Sequence, residues 1–400
     1  MIIQQKHLQR QLLSIHTHGL KEGYEDTTDV FEQLDHAEKA LFNIAKGFSS
    51  RTMVRVGTTF STVLRNIEEA QKASETNGVV GVPCGIHAID DLTGGFRPSD
   101  LVIVAARPGM GKTGWVLSTA LHAAQNGCPV ALFSLEMATA QLSARLISMV
   151  SEVNSTKLRN GKNITDAEWQ RLGAAVENLN NLPLYIDETA AISLSEVRSK
   201  ARRAVQQNGV KLVIVDYLQL MTVSSERGKQ GGNREQEVAA ISRGLKQLAK
   251  ELEVPVIALS QLSRAVETRG GSKRPQMSDL RESGGLENDA DVVAFIYRPA
   301  YYQIFEDENG QDIRDTAEFI FGKHRHGALE TVKMRFVDQF ARFENMNDSA
   351  YFNAPLVANI KSKPLSLSNN PASEPGFEAR FPVNEILAGN RRMNEEDIPF

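Results

Sequence analysis

The stretch LVIVAARPGMGKT, residues 101–113, sets six apolar residues against a turn holding a proline and two glycines, followed by a lysine and a threonine. A continuously apolar run of that length reads as a strand buried on both faces. Behind the turn, Val116, Leu117, Ala120, Leu121 and Ala124 recur at helical spacing. A strand that turns straight into a helix leaves the first helical N–H groups unpaired, and together with the helix dipole they make an anion site. Gly109 and Gly111 let the backbone wrap a phosphate, Lys112 reaches the β and γ phosphates, and Thr113 offers its hydroxyl to Mg²⁺. The segment follows the P-loop pattern except at its first position, where Ala106 stands for glycine. Arg107, Pro108, Gly109, Met110, Gly111, Lys112 and Thr113 are therefore the expected cradle for ATP.

Outward from this point, the chain alternates short β-branched runs with helical patterns between about residues 79 and 346. The runs are PVALFS (129–134), LYID (184–187), KLVIVDYLQL (211–220), PVIALS (255–260) and DVVAFIY (291–297). Such alternation calls for a mainly parallel sheet covered on both faces by helices, an α/β fold of three layers. AEFIFGKHR (317–325) and ETVKMRFVDQFARFEN (330–345) read as further strands forming an antiparallel flank. After Asn233, which pairs with Gln236 in a capping-box signature, Val238, Ile241, Leu245, Leu248 and Leu252 predict one long amphipathic helix.

Phosphoryl transfer also needs a carboxylate beside the metal, a group that orients water, and positive charge for the transition state. Asp216 closes the run LVIVD at a strand tip, where ligands of open parallel sheets bind. Glu136 follows another strand as a candidate general base, and Gln261 stands at a third tip, suited to sensing the γ phosphate. Taken singly, each also suits an ordinary surface loop; their joint occurrence with the cradle favours chemistry. Thr113 and Asp216 are the expected metal-side pair.

The flanks are plainer. Residues 1–50 read as a helical N-terminal segment, which the family resemblance given below makes the remnant of a helical N-terminal domain, and 51–78 as a linker whose helix places Val63, Ile67 and Ala70 on one side in want of a partner surface. Beyond 346 the composition turns to Asn, Ser, Pro and Ala without periodicity, which predicts a disordered tail over 347–400. It closes on MNEEDIPF, three acids ahead of Ile398, Pro399 and Phe400. That end is similar to the acidic tip of bacterial single-stranded-DNA-binding proteins; a solubilising end is the expectation, and contact with partner proteins the alternative. Two cysteines and no run of 18 apolar residues speak against a disulfide scaffold and a membrane span, and point to the cytoplasm.

The net charge of −4 gives no global attraction to nucleic acid, so any such contact falls to local loops. Two stretches qualify. TVSSERGKQGG (222–232) carries Arg227 and Lys229, and in the segment 263–285 Arg264, Arg269, Lys273, Arg274 and Arg281 outnumber Glu267, Asp279 and Glu282. Neither interleaves aromatics, which favours backbone tracking over base stacking.

GIHAIDDLTGGFRPSDLVIVAARPGMGKT, FSLEM, VDYLQL, NREQEV, ALSQLSRAVETR, DLRESGGLENDADV and KHRHG, in this order, resemble the signature segments of the DnaB family of bacterial replicative helicases. The resemblance covers residues 79–346 and implies a RecA-like ATPase fold, a homohexameric ring, and ATP-driven 5′-to-3′ translocation on single-stranded DNA with unwinding of forked DNA. It implies that Lys112 and Thr113 bind nucleotide and Mg²⁺, that Glu136 is the catalytic carboxylate, Asp216 the second metal-side acid and Gln261 the sensor. Lys323 and Arg325 match the basic pair that reaches the γ phosphate in the neighbouring subunit. Arg281, Glu282 and Gly284 match pore-loop positions. Primase, a helicase loader and the single-stranded-DNA-binding protein are the implied partners, and of the N-terminal collar that supports primase contact in the family only the last helices are expected here. A different class, a RecA-like ATPase that binds DNA without unwinding it, is the competing reading.

Overall fold

The computed structural model describes residues 2–24, 33, 37, 40, 56–75, 78–222, 234–270 and 273–346. The chain divides into two units, Met1–Ala354 and Pro355–Phe400, and the second, with the acidic tip, lies outside the described residues. So do Arg227 and Lys229 and the expected cap Asn233.

Among the described residues, nine strands form one sheet: β1 Leu101–Ala106, β2 Val130–Ser134, β3 Leu184–Asp187, β4 Leu212–Asp216, β5 Val256–Gln261, β6 Val292–Tyr297, β7 Thr316–His324, β8 Thr331–Val337 and β9 Arg342–Glu344. Their order is β3-β2-β4-β5-β1-β6-β7-β8-β9. The pairs among the first six are parallel and the last three strands join antiparallel, as the apolar runs and the flank lead one to expect.

Both faces of the parallel strands are apolar because both are covered. Along β1, Val102, Val104 and Ala106 pack with Trp115, Leu117 and Leu121 of the helix Lys112–Gln125. The intervening Leu101, Ile103 and Ala105 pack with Ile241, Leu245 and Leu248 of the helix Arg234–Leu252 and with Val197 of Leu194–Asn208. Alternate residues of one strand thus belong to two separate cores, which is why the run carries no polar position.

Two apolar runs turn out to be composite. The strand in KLVIVDYLQL ends at Asp216, and Leu218–Leu220 is a 3-10 turn. The run 330–345 is a hairpin, β8 and β9, broken at Asp338–Ala341, where Ala341 takes φ +51°.

Ahead of the sheet, Ile2–Gly23 and Phe60–Glu75 are helices. Val63 and Ile67 are 49% and 57% exposed, so the linker stripe has no cover among the described residues. Among these residues, too, no helix is long and apolar enough to cross a membrane.

Candidate active site

Parallel pairing brings the expected chemistry to one edge. Ala106 lies beside Gln261, Ser134 lies beside Asp216, and the cradle starts one residue beyond Ala106. Leu135 N–H donates to Asp216 O at 2.7 Å, which holds the segment leading to exposed Glu136 against the tip of β4. Four strand ends therefore deliver Lys112, Thr113, Glu136, Asp216 and Gln261 to the carboxyl edge of the sheet, where open α/β sheets take ligands.

The cradle depends on its glycines. Gly109 and Gly111 have φ of +79° and +91°, and a Cβ on Gly111 would sit 3.0 Å from Phe343 Cζ of β9. Met110 is buried, and its N–H closes the turn onto Arg107 O at 3.3 Å, so it contributes shape through its backbone. The Arg107 side chain is engaged within the protein. It is buried, donating to Leu262 O at 2.7 Å and to Glu267 Oε1. Only the backbone of Arg107 remains to line the cradle.

Lys112 Nζ donates to Ser260 O at 3.3 Å and lies 5.0 Å from the centroid of the Tyr217 ring. Burial lowers its pKa, while the Asp216 and Glu136 carboxylates push the other way. Thr113 Oγ1 donates to Asp216 Oδ2 at 2.9 Å. Burial raises the Asp216 carboxyl above the usual range, against the pull of Thr113 and Lys112, and Oδ1 is buried without a hydrogen-bond partner. A hydroxyl, one carboxylate and an orphaned acceptor beside a phosphate cradle suit Mg²⁺, which takes few protein ligands and keeps its waters. Among the described residues no group of three His, Cys, Asp or Glu side chains is placed to hold a metal ion.

Gln219 was missed in the sequence. Its Nε2 donates to Ser260 Oγ at 2.9 Å and its Oε1 accepts from Gln261 N–H at 3.3 Å, so it braces the sensor strand. It sits in VDYLQL, three residues past Asp216, and the apolar pattern around it hid a polar role. Arg298 was missed too: NH1 donates to Gly109 O at 3.3 Å, and its guanidinium lies 3.7 Å from the Phe336 ring centroid. Nothing in the local sequence singles it out.

Lys323 and Arg325 are elsewhere. Lys323 pairs with Val293, and Arg325 N–H donates to Asp291 O at 2.9 Å, just ahead of β6. Asp291 in turn accepts from Leu101 N–H, the first residue of β1. The basic pair thus lies at the amino edge of the parallel strands, and five residue steps of β1, about 17 Å, separate that edge from the cradle.

The segment 263–285 is more ordered than its composition suggested: Ala265–Thr268, Met277–Ser283 and Gly284–Asp289 are short helices. Three of its five basic residues are engaged internally. Arg269 pairs with Asp279 at 3.0 Å, Lys273 donates to Glu267 O at 2.8 Å, and Arg274 pairs with Glu318 at 3.0 Å. The backbone at Arg281, Glu282 and Gly284 crosses from one short helix to the next, and Gly285 beside them packs against Ala239 of the long helix.

A glycine cradle on a strand-to-helix turn, with carboxylates on neighbouring strand tips of a mainly parallel sheet, defines a P-loop ATPase with the RecA-like fold. Residues 81–345 match the DnaB-like helicase C terminal domain family. The chain is 41% identical over 348 residues to the replicative DNA helicase DnaB of Geobacillus stearothermophilus, covering 86% of this chain and 74% of that protein. It is 40% identical over 346 residues to the replicative DNA helicase DnaC of Bacillus subtilis, with the same coverage. Among solved structures it resembles a DnaB-like replicative helicase described with its interactions with primase, with a TM-score of 0.70 and 33% identity over 86% and 78% of the two chains. A second solved structure, described as an ATPase domain, matches with a TM-score of 0.67 and 36% identity over 74% of this chain and 100% of that one. The chain belongs to the DnaB family of helicases.

Proposed function

We infer that the chain is an ATP-dependent replicative DNA helicase whose active sites are completed between protomers. The observation that carries this reading is the placement of Lys323 and Arg325 at the sheet edge opposite their own cradle. No side chain spans that gap, so an arginine of this kind serves the cradle of a neighbour. A closed ring satisfies every site with one repeated contact, and a homohexamer is the assembly proposed.

ATP with Mg²⁺, when bound, supplies the phosphoanhydride whose cleavage drives motion. Lys112 and the first N–H groups of its helix hold the phosphates, and Thr113 and Asp216 face the metal. Glu136, exposed at its strand tip, accepts the proton of attacking water. Gln261, braced by Gln219, reports the state of the site to the strand that leads into residues 263–285. Arg281, Glu282 and Gly284, with Arg227 and Lys229, are the proposed contacts to single-stranded DNA. Movement on that strand runs 5′ to 3′ and opens forked duplexes. Primase, a loader and a single-stranded-DNA-binding protein are proposed partners in the cytoplasm, with residues 79–346 as the motor, 51–78 as the linker and 1–50 and 347–400 as flanks. Family membership favours unwinding over a RecA-like ATPase that merely coats DNA.

Two measurements test this. Forks bearing a 5′ single-stranded tail should be unwound and those bearing only a 3′ tail should not. Arg325→Ala and Glu136→Ala, each inactive alone, should recover turnover when mixed, because one protomer lends the arginine the other lacks; mixed assemblies that stay dead would refute completion in trans.

A further inference from the structure

Asp291, which precedes β6, is nearly buried, its side chain 3% exposed. Its Oδ2 accepts from Leu101 N–H at 2.9 Å and also pairs with Lys246, while its Oδ1 accepts from Arg325 NH1 at 2.9 Å. Arg325 is gripped twice, since its own N–H donates to Asp291 O at 2.9 Å. Even so, its side chain is 49% exposed.

Charge balance alone does not explain this. Lys246 already neutralises Asp291 and is itself held by Ser99 O at 2.8 Å. A guanidinium has five donors in a rigid fork, so one nitrogen can be pinned while others point outward. A loose surface arginine loses rotamer freedom when it engages a phosphate, and one already pinned loses less. Burial pushes the Asp291 carboxyl up, but the bonds from Lys246 and Leu101 outweigh it and hold the group ionised, below the ordinary range.

We propose that Asp291 is a positioning residue for Arg325: through one oxygen it aims the guanidinium at the neighbouring protomer's phosphate, and through the other it fixes that aim to the start of β1. The proposal rests on the reading of Arg325 as an arginine supplied in trans.

The test uses assembled full-length protein. Asp291→Asn should bind nucleotide as the wild type does while turnover falls about a hundredfold, the scale of a small misplacement of a catalytic group. Mixing then assigns the defect to a side. With Glu136→Ala, whose arginine is intact, Asp291→Asn should recover turnover; with Arg325→Ala it should not. A role in holding the fold or the subunit's own cradle would give the reverse pattern, or no recovery with either, and would overturn the proposal. The Arg325→Ala with Glu136→Ala mixture is the control: if it fails, the trans reading itself is at fault, and if it succeeds the Asp291 result stands alone. Arg325→Lys, at an exposed site that does not endanger folding, gives an independent reading. A flexible ammonium lacks the rigid planar fork in which one nitrogen is pinned by Asp291 while others are aimed outward, so turnover should fall as far as in Arg325→Ala; retention within tenfold of wild type would count against the proposal.

Discussion

Arg107 leaves the phosphate turn to meet Glu267: its Nε and NH2 lie 3.0 and 2.8 Å from the same carboxylate oxygen. The cradle is thereby tied to the segment after β5 that continues toward Arg281. Arg107 is 6% exposed and Glu267 42%, so the pair is half-buried, and cutting it strands the arginine rather than the acid.

Glu267→Ala should therefore lower stability by about 1–3 kcal/mol, the usual cost of leaving a buried charged donor short of its acceptor. Thermal unfolding of the two single variants and of Arg107→Ala/Glu267→Ala should show strong non-additivity. Additive losses would mean that the two side chains act separately.

Lys112→Ala should abolish nucleotide hydrolysis, since the ammonium beside Ser260, Asp216 and Glu136 is the cation of the cradle. Asp216→Asn tests the metal side: it keeps the shape and an acceptor for Thr113 but loses the charge. Turnover should drop by two orders of magnitude or so, in the range of losing one electrostatic stabiliser, and raised Mg²⁺ should recover part of it. Steady-state ATPase assays across Mg²⁺ concentrations decide both.

Gly111→Ala puts a Cβ on a residue with φ +91° and brings it 3.0 Å from Phe343 Cζ. The left-handed conformation alone costs about 1–2 kcal/mol for an L-residue. The melting temperature should fall and nucleotide affinity with it. A variant as stable as wild type would show that the turn accepts another backbone conformation.

His122 supplies a pH test. Burial, with His87 adding to it, lowers its pKa to about 4 from 6.5. The unfolded chain takes up this proton below about pH 6.5 and the folded chain resists until about pH 4, so stability is lost as pH falls through that window. The loss is at most about 3 kcal/mol at 1.36 kcal/mol per unit. His122→Asn should flatten the difference in melting temperature between pH 7.5 and pH 5; equal acid sensitivity in both proteins would move the effect to other groups.

Apolar runs betrayed the parallel strands because a strand covered on both faces has no polar position to confuse the pattern, as β1 and β4 show. The carboxyl-edge residues were legible for the same reason: Asp216 and Gln261 are where the apolar text stops. The hairpin of β8 and β9 was not, because its turn is built from Gln339, Phe340 and Ala341 rather than glycine or proline, and reads as more strand. The course of the Arg107 side chain was not legible, because sequence adjacency to the glycines says nothing of where a long side chain turns. Asp291 was invisible for a related reason, since its partners Leu101, Lys246 and Arg325 are far apart in the chain and only strand order brings them together.

If Arg325 is lent to a neighbour as proposed, β1 joins the ends of two different sites, with its own cradle following Ala106 and the mooring of that arginine at Leu101. Its six residues act as a fixed ruler. One added residue would turn every later side chain to the wrong core and shift the reach across the subunit by about 3.3 Å. Insertions that the surface loops absorb should therefore abolish turnover inside this strand, and on the trans reading the spacing between a protomer's own fuel site and the trigger it lends its neighbour is set by backbone rise rather than by side-chain chemistry.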